Sequence, residues 1–595
     1  MAEKNAAKSH SRPADTAAGD DHSGASSPEC TVDSLIHRAC SVIDAAAMHQ
    51  DLVEFAKRTK LSGTPDELES FRYLERRMKD LGYRTELVLH DAYISLPGTA
   101  HLDIASLAPE CITHSFSQSS TGLESEIVDM GAGTPEDYAR KDVTGKIVLL
   151  DGIASPVAAA RASVAGAAGQ IHVSPHAYRH EMCVSPVWGN PGPETLGQLP
   201  KTVIVSVNSE DGRSIRAALG AGQARTALIR TEVDTGWRKT PLLTAELYPE
   251  GAQPDCPFVM FSGHHDTWYY GVMDNGSANA TMLAVAGALK SEIKHWRRGL
   301  RFCFWSGHSH GRYSGSAWYA DTHFRDLEAR CIAHVNVDST GGVGATVLSD
   351  TPASAELRDL AREAVQVQAR QEITGERMMR VGDQSFWGIG IPSIFTGMSE
   401  QPAEKTGQAA TYAAGHTDRK GAGFGWWWHT EYDTIDKIDM EALLRDTRVY
   451  CHAVARLLCT QYLPVNYKVW LDEFARTLES LETAVTSDLD FSAVHERIVS
   501  LKSRLSTALP DRTVMAVSRG LVPLDLTAGD RFSHDAALPA ESFQILNPLR
   551  RLVQAGSDPD QIRFASVMAR QSLNRVTAML DSALTAINSH GKADQ

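Results

Sequence analysis

At 595 residues the chain is too long for one hydrophobic core, and its length alone predicts about three to four domains. With 43% hydrophobic and 22% charged residues, a net charge of -15 and a pI near 5.9, it reads as a globular protein and lacks the basic balance of a nucleic-acid binder. No apolar run approaches the roughly 20 residues that span a bilayer, so no membrane segment is expected. The nine cysteines, with no Cys-x-x-Cys pair, suit thiols in a reducing compartment, the cytoplasm.

Residues 1–31 are rich in Ala, Ser, Asp, Lys and Gly and carry no secretory h-region, which predicts a disordered lead-in. Helical periodicity follows from Ser34 to Val53. A second helix is expected over 66–81, with Leu68, Phe71, Leu74 and Met78 on one face and Gly82 as its stop. Residues 95–240 differ in composition. Short β-like runs at 147–150, 171–173, 203–207 and 227–229, with an Ala-rich helix at 156–168, read as a small domain inserted into a larger one. That larger unit comprises 32–94 and 241–464. Over 240–460 strands and helices alternate, which predicts an α/β fold: a helix-covered, mostly parallel sheet. The Gly-, Ala- and Thr-rich stretch 400–425 is long enough to be a functional loop or lid. Residues 465–595 are helical in pattern. Leu471, Phe474, Leu478 and Leu481 form one stripe and Val494, Ile498, Leu501 and Leu505 a second. Val567, Leu573, Val576, Leu580, Leu584 and Ile587 form a third. A helical bundle of this kind serves as a lid or as a dimerisation unit.

Metal-capable residues gather where strands end, which is where ligands bind in open α/β sheets. The apolar run 257–261 leads into Gly263-His264-His265-Asp266-Thr267 and on to Asp274. A His-x-Asp step on extended backbone places Asp266 on the side of His264, where its carboxylate can hold the far ring nitrogen. The run 302–305 leads into Ser306-Gly307-His308-Ser309-His310-Gly311, and 335–337 leads into Asp338. The fourth cluster is Trp426-Trp427-Trp428-His429-Thr430-Glu431-Tyr432-Asp433. Any one of these is weak evidence, since a single His near a strand end is usually a surface or core residue. Four at equivalent positions form a mixed His and carboxylate set that suits zinc, manganese, iron or cobalt.

The Gly-His-x-Asp step at 263–266, Asp274, Asp338, the segment 382–393 and the late His429 resemble the co-catalytic zinc aminopeptidase and glutamate carboxypeptidase family, whose larger members share their plan with the transferrin receptor. The resemblance covers nearly all of the chain past residue 40. It implies that the insert is a β-rich protease-associated domain and that the C-terminal helices form a homodimer. It also implies that His264 and Asp338 ligate one metal, that Asp274 bridges, that His429 ligates a second metal, and that Asp266 orients His264. The reaction it implies is attack of metal-activated water on a peptide or amide carbonyl of a small molecule or short peptide.

One segment departs from the family. Its Trp-x-x-Glu-Glu-x-Gly is here Trp305-Ser306-Gly307-His308-Ser309-His310-Gly311, so His308 takes the place of the general-base Glu and Ser309 that of a ligand Glu. An imidazole can also shuttle a proton, but a neutral Ser is a poor anionic ligand. Either His310 replaces the ligand, giving a nitrogen-rich site that also suits iron or nickel, or the second metal is lost. Three readings follow: a metal-dependent amide hydrolase with His308 as base, a lyase, deaminase or other C–N cleaving metalloenzyme, or a non-catalytic binding homologue. Among the anion-binder candidates Arg161, Arg179, Arg312 and Arg380, Arg312 directly follows the altered motif; with Tyr313 it is expected to face a substrate, and Trp428 to wall the pocket.

Overall fold

The computed structural model describes residues 31–593 except 375–376, 404–419, 486–487, 507 and 557. The expected lead-in up to residue 30 and most of the expected lid lie outside the described residues. The strands, in chain order, are β1 (Arg84–Asp103), β2 (Ile112–Thr113), β3 (Ser120–Gly131), β4 (Ile147–Asp151), β5 (Gly169–Val173), β6 (Val203–Val207), β7 (Thr226–Leu247), β8 (Phe258–His264), β9 (Gly299–Trp305), β10 (Cys331–Asn336) and β11 (Ser393–Ile394). They join in the order β11-β10-β8-β9-β7-β3-β4-β5-β6-β2, with β1 paired to β7.

The expected mostly parallel sheet is present. β11, β10, β8 and β9 run parallel, as do β3 to β6, while β7 is antiparallel to its neighbours β1, β3 and β9. Every residue of β8, β9 and β10 is buried, as required of a parallel sheet covered by helices on both faces. The helices Ala278–Lys290 and Met440–Cys459 pack on this part of the sheet. The helix expected over 66–81 spans Pro65–Asp80, capped by the Thr64 side chain, and Gly82 follows at φ +83°. The single helix expected over 34–53 is two, Val32–Ser41 and Ala45–Phe55, the second capped by the Asp44 carboxylate.

The insert has its own apolar core, which includes Ile147, Ile171, Val205, Ile215 and Ile229. Its expected boundaries at 95 and 240 fall inside β1 and β7. These two strands pair from Arg84 with Glu246 to Asp103 with Leu228 and carry one sheet from the larger unit into the insert. The C-terminal helices share the main core, in which Trp470, Leu521 and Val576 join Phe261, Phe302 and Val335. Fully buried Arg298 also pins them, donating to both carboxylate oxygens of Asp511 and to the carbonyls of Leu457 and Thr460. The third helical stripe is shorter than the sequence suggested: Leu573, Val576 and Leu580 are buried, but Val567 is exposed.

Candidate metal centre

Three parallel strands end side by side and deliver their following residues to one place. β8 ends on His264, β9 leads to the 306–311 turn and β10 leads to Asp338. Gly263 is required where β8 and β10 approach each other, because a Cβ there would lie 2.7 Å from the carbonyl oxygen of Val337. Asn275 ties the same two strand ends together. Its amide group donates to the carbonyls of His264 (3.3 Å) and Val337 (3.4 Å), and its oxygen accepts from Ser339 N–H (2.9 Å).

The Asp274 carboxylate sits between two imidazoles. His264 Nε2 is 3.2 Å from Oδ1, and His429 Nε2 is 3.1 Å from Oδ2. Asp338 Oδ2 lies 3.5 Å from His264 Nε2, while Asp338 Oδ1 accepts from the Ser339 hydroxyl. Both rings face this cluster through the nitrogen that can ligate. His264 Nδ1 lies 2.8 Å from the carbonyl of Asp266, and His429 Nδ1 lies 2.7 Å from the carbonyl of Glu181. A carbonyl only accepts, so each Nδ1 donates, and each Nε2 is the nitrogen left facing the carboxylates.

Asp266 therefore orients His264 through its backbone rather than its carboxylate, whose Oδ1 is 3.7 Å from the ring. The carboxylate instead accepts from His308 N–H (3.3 Å), Ser309 N–H (2.8 Å) and the Ser62 hydroxyl (2.7 Å), which fixes the altered turn. The expected alternation fails because β8 stops at His264, so the extended backbone does not reach residue 266.

Within that turn the three residues diverge. The ring of His308 stacks on His264 at 3.7 Å between centroids, and its Nδ1 is 2.8 Å from Asp383 Oδ2. A ring nitrogen of His308 lies within 4.8 Å of ligand atoms of His264 and Asp338. Ligation of one ion by both imidazoles is nonetheless disfavoured. Imidazole lone pairs lie in the ring plane, and an ion in the plane of His264 sits off the nearly parallel plane of His308 by about the stacking distance. Ser309 Oγ is buried and, among the described residues, has no hydrogen-bond partner. His310, expected as a ligand, instead places Nδ1 3.0 Å from Ser62 Oγ and packs against Trp268 at 4.2 Å. Among the described residues it joins no group of three metal-capable side chains.

The residues expected to face a substrate are engaged by protein. Arg312 donates to the carbonyl of Ala537 (3.2 Å) and lies over the Tyr313 ring, whose own edge meets His308 at 4.9 Å. Trp428 stacks on His429 at 3.6 Å. Arg161 donates to Gly133, Arg179 to Glu110, and Arg380 to the carbonyls of Leu526, Asp535 and Ala536. Tyr269, Arg312, Tyr313, Ser339 and His429 all have φ between 48° and 72°. Each such residue costs about 1–3 kcal/mol, and such outliers concentrate at functional sites.

Three further residues support the site: Asp383 and Asp433 lie inside the motifs at 382–393 and 426–433, and Glu181 carried no signal in the sequence. Asp383 accepts from the Ser316 hydroxyl (2.8 Å) as well as facing His308. Asp433 receives the backbone N–H groups of Met273 (2.8 Å) and Asp274 (2.9 Å), and burial pushes its carboxyl up to about 7. Glu181, from the insert, donates its backbone N–H to the His429 carbonyl (3.1 Å) and accepts from the His429 ring at its own carbonyl, and His180 beside it approaches the carbonyl of Trp428. Burial pulls the His264 imidazole down, but Asp338 and Asp274 more than offset this and hold it well above its usual range. Burial raises Asp274, yet contact with His264 and His429 leaves it well below the usual carboxylate range. The chemistry of the set fits a cation: His264 Nε2 and Asp274 Oδ1 are buried, close together and, among the described residues, without hydrogen-bond partners.

Residues 244–454 match peptidase family M28. A probable glutamate carboxypeptidase of Zea mays is 28% identical over 146 residues, which is 24% of this chain and 20% of that protein. An aminopeptidase of Mus musculus is 29% identical over 93 residues, 15% of this chain and 12% of that protein. The chain thus aligns with a fifth or less of the length of these relatives. Among solved structures, the aminopeptidase from Aneurinibacillus sp. strain AM-1 superposes with a TM-score of 0.53 at 22% identity, covering 72% of this chain and 97% of that one. A peptidase M28 precursor from Shewanella amazonensis gives 0.56 at 18% identity, over 73% and 97%. The relationship to the zinc aminopeptidase and glutamate carboxypeptidase family expected from the motifs holds, and the fold of these structures is shared.

Proposed function

We propose that the chain is a metal-dependent hydrolase that cleaves an amide or peptide-like bond of a small molecule or short peptide. The observation that carries this reading is the Asp274 carboxylate, whose two oxygens each face Nε2 of a different imidazole, at 3.2 and 3.1 Å. A divalent ion, zinc by the ligand types and the family, would be held by His264, Asp274 and Asp338, with His429 beyond, and would polarise a carbonyl and lower the pKa of a bound water.

The chain's own residues divide the remaining work. His308 accepts and returns the proton in the place of the family's carboxylate, with Asp383 holding its Nδ1. Asp266 fixes the backbone that presents His308, and Tyr313 packs against the ring edge. The insert's separate core supports a protease-associated domain at 95–240. Exposed Phe564, Val567 and Met568, at helical spacing near the C-terminus, support the expected homodimer.

The test pairs metal analysis of the purified protein with a screen of aminoacyl and N-acyl amides. Stoichiometric metal and metal-dependent cleavage are expected. A protein that binds neither zinc, manganese nor iron, or a loaded protein inert towards every amide, overturns the reading.

A further inference from the structure

We propose that this centre holds one divalent ion tightly, on His264, Asp274 and Asp338, and a second only loosely, on His429 and the other oxygen of Asp274. The inference rests on the hydrolase reading above and concerns how this chain departs from a two-metal plan.

The two positions are unequal in ligands. At the first, His264 Nε2 meets two carboxylates, Asp274 at 3.2 Å and Asp338 at 3.5 Å. Three protein ligands and an open position are what catalytic zinc takes. At the second, among the described residues, His429 Nε2 meets the Asp274 carboxylate and no other. The resemblance anchored on Trp305 and Gly311 implies a ligand at Ser309, whose hydroxyl is buried, neutral and, among the described residues, without a hydrogen-bond partner.

His310 does not repair the loss. Its Nδ1 is on Ser62, its ring lies against Trp268, and the short bond from Ser62 to Asp266 holds that arrangement. Charge points the same way. The Asp274 and Asp338 carboxylates offset one dication, so a second would enter a buried site with its charge uncompensated. The second position is nonetheless preformed, since the Glu181 carbonyl and the Trp428 ring fix the His429 imidazole with Nε2 towards Asp274. A preformed position short of one ligand binds weakly and exchanges.

The experiment is calorimetric titration of metal-free, full-length protein with zinc, with the visible absorption of bound cobalt as a second readout. We expect one tight equivalent and a second weaker by at least roughly tenfold. His429→Ala should keep the tight equivalent and lose the weak one. Ser309→Glu supplies the missing carboxylate and should give two tight equivalents. Two equal equivalents in the wild-type protein overturn the proposal, as does a folded Ser309→Glu protein whose second equivalent stays weak. Loss of the second equivalent in His310→Ala would make His310 the third ligand and overturn it too. Should Ser309→Glu fail to fold, the wild-type and His429→Ala titrations decide: a tight equivalent lost in His429→Ala overturns the proposal. No binding at all would instead sink the hydrolase reading.

Discussion

The imidazole of His308 lies parallel to that of His264, with centroids 3.7 Å apart and planes within 13° of each other. A ligand of the same ion would not stack face to face with His264, whereas a proton carrier beside the ion can. His308→Ala is therefore expected to lower amide hydrolysis by about 10²–10⁴-fold and to leave the tight metal equivalent in place. Rate assays with metal analysis of the same sample check this; lost metal would make His308 a ligand.

Asp383 is 75 residues from His308 in sequence and 2.8 Å from its Nδ1. Asp383→Asn should misalign the ring and lower kcat by about a hundredfold with little change in KM, as for an orienting carboxylate behind a catalytic imidazole. Metal content should not change. A change confined to KM would assign Asp383 to substrate binding instead.

His310 is buried against Trp268 and Ser62, and burial lowers its pKa to about 3, so the ring is neutral. His310→Ala should retain the tight metal but destabilise the fold by about 2 kcal/mol, the scale of a buried polar side chain lost with its packing. Denaturant unfolding of the loaded protein measures this. An unchanged midpoint together with loss of the second, weaker equivalent would restore the ligand role expected from the sequence.

Glu356 is fully buried beside the C-terminal helices, and burial pushes its carboxyl up to about 7 from 4.5. Its raised folded-state pKa means that the unfolded chain ionises first. The contribution to stability is whole below about 4.5 and falls as pH rises through about 7. Glu356→Gln, which cannot ionise, should remove this slope and gain up to about 3 kcal/mol at pH 8. Denaturation midpoints from pH 5 to 8 check it; parallel curves for the two proteins would disprove it.

Much of the plan was legible because it is written in periodicities. All-apolar runs marked β8, β9 and β10, and the residues just past them, His264, His308 and Asp338, fall where parallel strands deliver them. Alternation does not place the Asp266 carboxylate, because it holds only while the strand lasts and β8 ends at His264. Glu181 was not legible: it contributes a backbone carbonyl from 248 residues away, and every residue type carries one. Asp383 lies in the family-like segment 382–393, but only tertiary convergence pairs it with His308. Val567 shows the limit of stripes, which locate an apolar face but not what covers it.

The long pair β1 and β7 crosses the expected insert boundaries without a break, and the segment it carries returns at His180 and Glu181 to touch Trp428 and His429. The insert is thus welded at its root and latched at its tip. Cutting it out at 95 and 240 would sever a ladder in mid-course and leave one imidazole free to spin. A truncated chain of that kind should be read as a protein with a damaged reaction centre, and a transplanted insert from a relative would have to bring its latch with it.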